Sequence, residues 1–304
     1  MDFQLTQDQR DLRAGVRSLL AGRYGREALR AAVDGGGPAV DRALWRELGA
    51  AGFFALRLPE SEGGVGLGLP EAVLVFEEAG RALLPGPLVA THLAAGVVPG
   101  AASGEAVVTA FDLDGPLVAY LSESDAVLGV DGVPPGEPVR STDPLTPLHA
   151  VRGAGAGPGA GPREYRDAGA LLTAALQAGS ALATLELAVR YAGEREQFGQ
   201  PIGAFQAVKH LCAGMLVRAE LARTAVYAAA VTGAGPEIAA AKLLADEAAV
   251  QGARDCLQVH GGMGFTWESD VHLHLKRAWL RAHQWHTATE AEELLAAELL
   301  TTPV

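Results

Sequence analysis

Aromatic residues and cysteines are scarce in this chain of 304 residues. Only 6% of its residues are aromatic although 49% are hydrophobic, so the core must consist mainly of Ala, Leu and Val, a composition that favours closely packed helices. The only cysteines, Cys212 and Cys256, both lie within helical patterns. The sequence therefore indicates neither a disulfide framework nor a metal site, and it predicts a protein of the reducing cytoplasm.

Basic residues are also few. Lys and Arg number 24 against 36 Asp and Glu, which gives a formal net charge of -12. Binding to DNA or RNA depends on clustered Lys and Arg that neutralise phosphates. This charge balance therefore excludes a nucleic-acid partner.

Long runs of large aliphatic residues are absent as well. The longest uncharged run, residues 168–185, consists mostly of Ala, Gly, Thr, Ser and Gln, so it favours a buried bundle helix over a membrane span. Residues 1–6 lack the basic and apolar regions of a signal peptide. We expect no membrane partner.

The order of sequence patterns predicts a mainly α fold with four parts. Residues 1–103 form an N-terminal helical domain, in which Thr6 is a plausible N-cap. Short alternating runs separated by Asp-Gly and Pro-Pro-Gly make residues 104–152 a reduced, truncated central β-domain. Residues 153–163 are a Gly/Ala/Pro linker, and residues 164–304 are a C-terminal antiparallel helix bundle.

The segment between the first two long helices of that bundle carries groups that suit a phosphate ligand. The guanidinium of Arg195 can donate two parallel hydrogen bonds to a pyrophosphate, and the amides of Gln197 and Gln206 add further hydrogen-bonding groups. The alternative is that Arg195 caps the C-terminus of its own helix.

A second segment, residues 258–265, places Gln258 and His260 directly before Gly261 and Gly262. Glycines allow the backbone to approach a flat or phosphate-bearing ligand. The alternative here is an ordinary glycine C-cap.

Together these segments resemble the acyl-CoA dehydrogenase family. The similarity to its C-terminal helical domain rests on the pattern Arg195-x-Gln197-Phe198-Gly199-x-Pro201-Ile202-x-x-Phe205-Gln206, followed by Gln258-x-His260-Gly261-Gly262-x-Gly264-Phe265. The similarity to its N-terminal domain rests on Pro59-Glu60-x-x-Gly63-Gly64-x-Gly66 and the helix containing Glu77-Glu78.

The resemblance implies an FAD flavoprotein that removes an α-proton and a β-hydride from an acyl-CoA thioester and passes electrons to an acceptor such as electron-transfer flavoprotein. It also implies that FAD bound to a neighbouring subunit is contacted by a set of cofactor-binding residues, namely Arg195, Gln197, Phe198, Gln258, Gly261 and Gly262.

The chain departs from the family pattern in two respects. The Thr-Glu-Pro and Gly-Ser-Asp signatures that line flavin and substrate have no match in its short β-domain. The family's usual catalytic Glu position falls at about Trp285, and its alternative position falls at about Gly169. Since neither residue is a carboxylate, the catalytic residue is left unassigned.

Other residues near these positions are candidates for the base. His283 and His286 lie near the usual position, and imidazole is a common general base, whereas Asp167 lies on the wrong face of its helix for a simple exchange with Gly169. His272 and His274 are two residues apart on a helix, so they face different directions and do not make a metal site.

Three hypotheses follow from the resemblance. The chain is similar to the smaller, base-lacking subunit of the heteromeric acyl-CoA dehydrogenases of actinobacteria, which act on bulky substrates such as steroid side-chain thioesters. It is alternatively a self-sufficient homo-oligomeric dehydrogenase with an unusual base, or a flavin-free scaffold or lyase relative. The absent carboxylate favours the first hypothesis over the second, and the Arg195 and Gln258 segments argue against the third.

Overall fold

The computed structural model describes residues 4–113, 115–152 and 163–301. Apart from its last residue, the predicted linker at 153–163 lies outside the described residues. Ten helices and seven short strands occur in the described part of the chain. The helices are α1 (Gln7–Arg23), α2 (Arg26–Asp34), α3 (Arg42–Ala50), α4 (Leu69–Arg81), α5 (Leu88–Leu93), α6 (Arg163–Glu194), α7 (Gln206–Thr232), α8 (Gly235–His260), α9 (Val271–Arg281) and α10 (Ala288–Thr301). The strands are β1 (Val108–Thr109), β2 (Leu117–Ala119), β3 (Ala126–Val127), β4 (Gly136–Val139), β5 (Leu148–Val151), β6 (Glu196–Gln197) and β7 (Gln200–Pro201).

The N-terminal helices begin where capping residues occur in the sequence. Thr6 accepts a hydrogen bond from the backbone of Gln9 at 3.2 Å, and the side chain of Gln9 accepts one from the backbone of Thr6 at 3.0 Å, which completes a capping box. The carboxylate of Asp41 caps α3 by accepting from the backbone N–H groups of Ala43 and Leu44. The predicted N-cap at Thr6 is confirmed.

The central β-domain is small. β5 is the middle strand of a three-stranded antiparallel sheet in the order β2-β5-β4, and β1 pairs with β3 in a separate parallel pair. The hydroxyl of Tyr120 donates to the carbonyl of Leu145 at 2.8 Å, and this bond holds the loop between β4 and β5 in place. The β-domain joins the same hydrophobic core as the helices on either side of it.

Helix α6 is the centre of the molecule. It packs against α4, α5, α7, α8 and α9. The crossing with α4 is close: a Cβ atom added at Gly179 would lie 2.9 Å from the backbone nitrogen of Arg81, and one at Gly80 would lie 2.6 Å from Cα of Leu176. Two glycines thus bring the two helix backbones into direct contact.

The segment Tyr165–Glu194 within α6 is long and apolar enough to cross a membrane, the one such helix among the described residues. However, 89% of its most apolar window is buried inside the fold. This burial is typical of the core helix of a bundle, as the sequence predicts. The mainly α fold class, with helical parts on both sides of a few short strands, is confirmed.

The far end of the bundle has its own core. Residues near the C-terminal ends of α6 and α8 pack there with residues from the first turn of α7 and from the turn before it, including Ala192, Leu257, Val259, Val208 and Ile202. This second core positions the two segments that the sequence marks as binding motifs.

Candidate functional site

The Arg195 segment is a tight β-hairpin between α6 and α7. β6 and β7 pair in antiparallel fashion, and the two residues between them, Phe198 and Gly199, have φ values of 55° and 77°. Two consecutive residues with positive φ define the hairpin turn that matches strand twist, and Asn or Gly normally occupies its first position. Phe198 is therefore in a strained backbone conformation, yet its side chain is 92% exposed.

Arg195 lies at the base of this hairpin and is exposed. Its backbone N–H donates to Tyr191 O at 2.9 Å and its carbonyl accepts from the N–H of Ile202 at 2.8 Å, so the main chain is fixed on both sides. Its guanidinium makes no hydrogen bond or ion pair with any described residue. The alternative in which the Arg195 side chain caps α6 is thus not what the structure shows. The amide of Gln197 donates to its neighbour's carbonyl, Glu196 O, at 2.7 Å.

The second segment ends helix α8. Gln258 is exposed, and its side chain has no hydrogen-bond partner within the described ranges. The N–H of Gly261 donates to Gln258 O, and Gly261 has a φ of 58° and a ψ of -137°, so it is also the glycine C-cap that the alternative interpretation expects. A Cβ atom added at Gly261 or Gly262 would have no heavy atom within 4 Å, which leaves both backbones open to an approaching molecule.

Aromatic stacking brings the two segments together. The rings of Tyr191 and His260 are 4.1 Å apart at an interplanar angle of 18°. Tyr191 lies one turn before Arg195, and His260 lies two residues after Gln258. His260 is held in place because its Nδ1–H donates to Cys256 O at 2.8 Å. This contact was not expected from the sequence, since Tyr191 belongs to no motif.

Large apolar side chains in the same two segments are exposed to solvent. Besides Phe198, Phe265 is 80% exposed and Met263 is 57% exposed. Exposed apolar residues that cluster beside polar ones indicate a surface that contacts another molecule. We call the group formed by Arg195, Gln197, Phe198, Gln258, Gly261, Gly262, Met263 and Phe265 the outer surface.

The loop that follows this surface is anchored to the N-terminal domain. Trp267 donates from Nε1 to Asp34 at 2.7 Å, and the ammonium of Lys276 lies 4.9 Å from its ring centroid. Arg26 donates to Asp270 at 2.6 Å. Phe265 is therefore exposed even though the loop that follows it is held in place.

The two positions at which a base was sought, Gly169 and Trp285, lie against each other. A Cβ atom added at Gly169 would lie 2.5 Å from Cε3 and 2.6 Å from Cε2 of the Trp285 indole. Trp285 is 7% exposed, so its ring fills the space beside Gly169. No carboxylate stands at either position, in agreement with the sequence.

A seam between the β-domain and the end of α9 closes this region. Leu113 forms an isolated β-bridge with Gln284, whose Nε2 donates to the Asp112 carboxylate at 2.9 Å. The N–H of Trp285 donates to Asp112 O at 2.6 Å. Burial raises the pKa of the Asp112 carboxyl to about 7, although the hydrogen bond from Gln284 lowers it. The seam residues belong to no sequence motif, so the contact could not be predicted from local patterns.

The other candidate bases lie elsewhere. His283 is exposed. His286 donates from Nε2 to the Asp167 carboxylate at 3.1 Å, and both residues line an open cleft between the start of α6 and α10. His274 is buried and pairs with Ser180 at 2.7 Å, whereas Nε2 of His272 lies 3.2 Å from Trp267 O. The described residues hold no His, Cys, Asp or Glu group suited to a metal ion.

Comparisons with known proteins agree with this architecture. Residues 6–106 match the model of the acyl-CoA dehydrogenase N-terminal domain, and residues 167–285 match that of the acyl-CoA dehydrogenase C-terminal domain. The chain is 35% identical to the acyl-CoA dehydrogenase IpdE2 of Mycobacterium tuberculosis, over 98% of this chain and 99% of the relative.

Solved structures resemble the chain over nearly its whole length. The ChsE4-ChsE5 complex from Mycobacterium tuberculosis contains a chain that superposes with a TM-score of 0.86 at 26% identity, over 100% of both chains. The Tcur3481-Tcur3483 steroid ACAD, solved as a G363A variant, gives a TM-score of 0.82 at 25% identity, over 97% of this chain and 99% of that one.

Proposed function

Because this chain belongs to the acyl-CoA dehydrogenase family, we propose that it is the subunit of a heteromeric acyl-CoA dehydrogenase that completes the FAD site of a partner subunit. The family is one of flavoprotein oxidoreductases. In this proposal the partner supplies the catalytic base, and the complex desaturates an acyl-CoA thioester and passes electrons to electron-transfer flavoprotein or a similar acceptor.

The observation on which the proposal mainly depends is the state of Phe198. A phenylalanine at the first turn position of a two-residue hairpin strains the backbone, and nearly complete exposure gives it no compensating burial in this chain. Strain of this kind indicates a function outside the isolated fold. Contact with a partner subunit and its flavin would bury the ring.

The polar residues of the outer surface fit one part of FAD. The guanidinium of Arg195 suits the pyrophosphate, because a planar fork can donate two hydrogen bonds to phosphate oxygens. Gln258 offers a free amide, and Gly261 and Gly262 leave the backbone open beside it. FAD, when bound, supplies the acceptor for the substrate hydride. The chain's own residues orient the cofactor from the outside.

The described interior residues near Gly169 do not offer a second half of such a site. The indole of Trp285 fills the space next to Gly169, and the seam at Asp112 joins the β-domain to α9. Solved relatives with names that describe pairs, ChsE4-ChsE5 and Tcur3481-Tcur3483, support a heteromer as the working assembly. The similarity to the steroid ACAD favours a steroid-derived or similarly bulky acyl group.

The test compares the chain purified alone with the chain co-expressed with each full-length acyl-CoA dehydrogenase subunit of its genome. Flavin absorbance is recorded before and after anaerobic addition of acyl-CoA thioesters. We expect flavin bleaching only in a co-purifying pair. Bleaching by the chain alone would show a self-sufficient enzyme, and absence of flavin from every pair would support a flavin-free role.

Arg195→Ala in the co-expressed pair tests the clamp directly. Loss of a charge-assisted hydrogen bond to phosphate should weaken FAD binding by about tenfold or more. Arg254→Ala is the matched control, because Arg254 is an exposed arginine one turn before Gln258 on α8 and belongs to neither segment. Equal FAD retention in the two variants would refute the role of Arg195.

A further inference from the structure

Two segments of the outer surface come from distant parts of the chain. They are the hairpin of residues 195–202 and the end of α8 with the turn that follows it, residues 258–265. In the described part of the chain, no hydrogen bond or ion pair joins one segment to the other. Instead, Tyr191, one turn before the hairpin, stacks on His260 of the second segment, with ring centroids 4.1 Å apart.

Tyr191 is connected to the hairpin through its main chain. Its carbonyl accepts from the N–H of Arg195 at 2.9 Å, and the carbonyl of Arg195 accepts from the N–H of Ile202 at 2.8 Å. Two consecutive hydrogen bonds thus link Tyr191 to both ends of the hairpin. The side chain of Tyr191 is partly buried and packs against the second core.

His260 is fixed at the end of α8. Its Nδ1–H donates to Cys256 O at 2.8 Å, within the last turn of the helix. Gly264 is buried and lies against it, since a Cβ atom added at Gly264 would be 3.1 Å from Cβ of His260. His260 therefore contacts both the last turn of α8 and the glycine-rich turn of residues 261–265.

We propose that Tyr191 and His260 are positioning residues, whose stacked rings hold the hairpin and the end of α8 at a fixed separation so that both segments contact the same FAD. The inference rests on the proposed function, because it concerns how the outer surface is arranged before the cofactor binds. Groups that are held in place before binding lose less conformational entropy when a ligand binds, so the stack should increase affinity without either ring touching FAD.

The first experiment measures FAD binding by the co-expressed pair after its flavin has been removed and added back. Tyr191→Leu should weaken FAD binding by about three- to tenfold, because it removes the ring that stacks on His260. Tyr191→Phe retains a stacked ring and should bind FAD as the wild type does. If the Phe variant lost as much affinity as the Leu variant, the stack would not be the cause.

Leu187→Ala is the matched control for stability. Leu187 lies one turn before Tyr191 on α6 and packs against the same second core, but it belongs to neither segment. This variant should lower the unfolding midpoint of the isolated chain by about 2–5 °C and change FAD binding by less than about twofold. The proposal is refuted if Leu187→Ala weakens FAD binding as much as Tyr191→Leu does.

Hydrogen exchange in the isolated full-length chain tests the positioning role without flavin. Tyr191→Leu should speed amide exchange in both segments by about threefold or more, whereas Leu187→Ala should leave their exchange unchanged. Unchanged exchange in Tyr191→Leu would overturn the positioning role. Faster exchange in both segments, together with absence of flavin from every pair, would refute the proposed function alone, so the two ideas can fail separately.

Discussion

The glycines of the outer surface and the glycine beside Trp285 lie in opposite environments. Gly261 and Gly262 have open space where a side chain would be, and the polar groups beside them, at Arg195 and Gln258, have no partner in the described part of the chain. At Gly169 the space is filled by the chain's own indole.

The contrast extends to the polar groups. Around Trp285, the Asp112 carboxylate accepts from Gln284, and Arg166 donates to Glu290 of the same chain. At the outer surface, the donors of Arg195 are unused. A fixed surface with free donors and exposed aromatic rings is suited to contact with another molecule. This difference supports the proposal that the chain binds another molecule through its outer surface.

The largest expected effect on stability comes from removing the ion pair that joins the β-domain to α9. The guanidinium of Arg277 pairs with Asp143, and the two side chains are 5% and 1% exposed. Asp143→Ala would leave the cation buried without its partner and should lower the free energy of unfolding by about 3–5 kcal/mol. Denaturant titration measures this change.

The matched control is the exposed pair of Arg152 and Glu137, whose side chains are 84% and 70% exposed. Glu137→Ala should change stability by less than about 1 kcal/mol, because water screens the pair. If the two variants lost similar stability, the buried ion pair would contribute little to holding the β-domain against α9.

A second prediction compares two glycines, one in a helix crossing and one on the outer surface. Gly179→Ala forces a methyl group against the backbone of α4 and should cost about 3 kcal/mol. Gly262→Ala has open space and should change the free energy of unfolding by less than about 1 kcal/mol, yet it should reduce flavin retention in the co-expressed pair. Unchanged flavin content would argue against close backbone approach at Gly262.

Sequence patterns predicted the features that depend on local chemistry. Thr6 caps α1 because its side chain bonds a backbone group only three residues away. The long helices of the bundle follow from apolar periodicity over many turns. By contrast, α2 and α5 were not predicted, because both are short and α2 starts after Gly25 without a side-chain cap.

The sites divide in the same way. The hairpin and the α8 terminus could be located because their residues form recurring motifs, and their cofactor roles remain predictions. The convergence of Gly169 with Trp285 and the seam at Asp112 could not be foreseen. Both arise from packing between segments that are far apart in the chain, and the residues involved are not unusual in their local sequence.

A third prediction concerns pH and the seam. The pKa of Asp112 is raised to about 7 in the fold, above its ordinary value near 4, so the folded state binds more protons than the unfolded state between these values. Its contribution to stability is therefore present below about pH 4 and is lost as the pH rises through about 7. The measured quantity is the free energy of unfolding of Asp112→Asn minus that of the wild type. This difference should be larger at pH 8 than at pH 5 by roughly 1–3 kcal/mol, because only the wild type loses stability as Asp112 ionises. A stability difference that does not change with pH would show that Asp112 does not titrate in this range.

The smallest effect should have the opposite sign in the chain and in the complex. Phe198→Asn relieves a left-handed phenylalanine at a turn position that asparagine favours, and it should raise the free energy of unfolding of the isolated chain by about 0.5–1 kcal/mol. The same change removes an exposed ring from the outer surface, so the co-expressed pair should dissociate more readily and lose flavin. Phe265→Asn is the control, since Phe265 is also exposed but its φ is not positive, and it should weaken the pair without stabilising the chain. A Phe198 variant that stabilised the chain and left the pair intact would mean that the strain at this turn serves no partner.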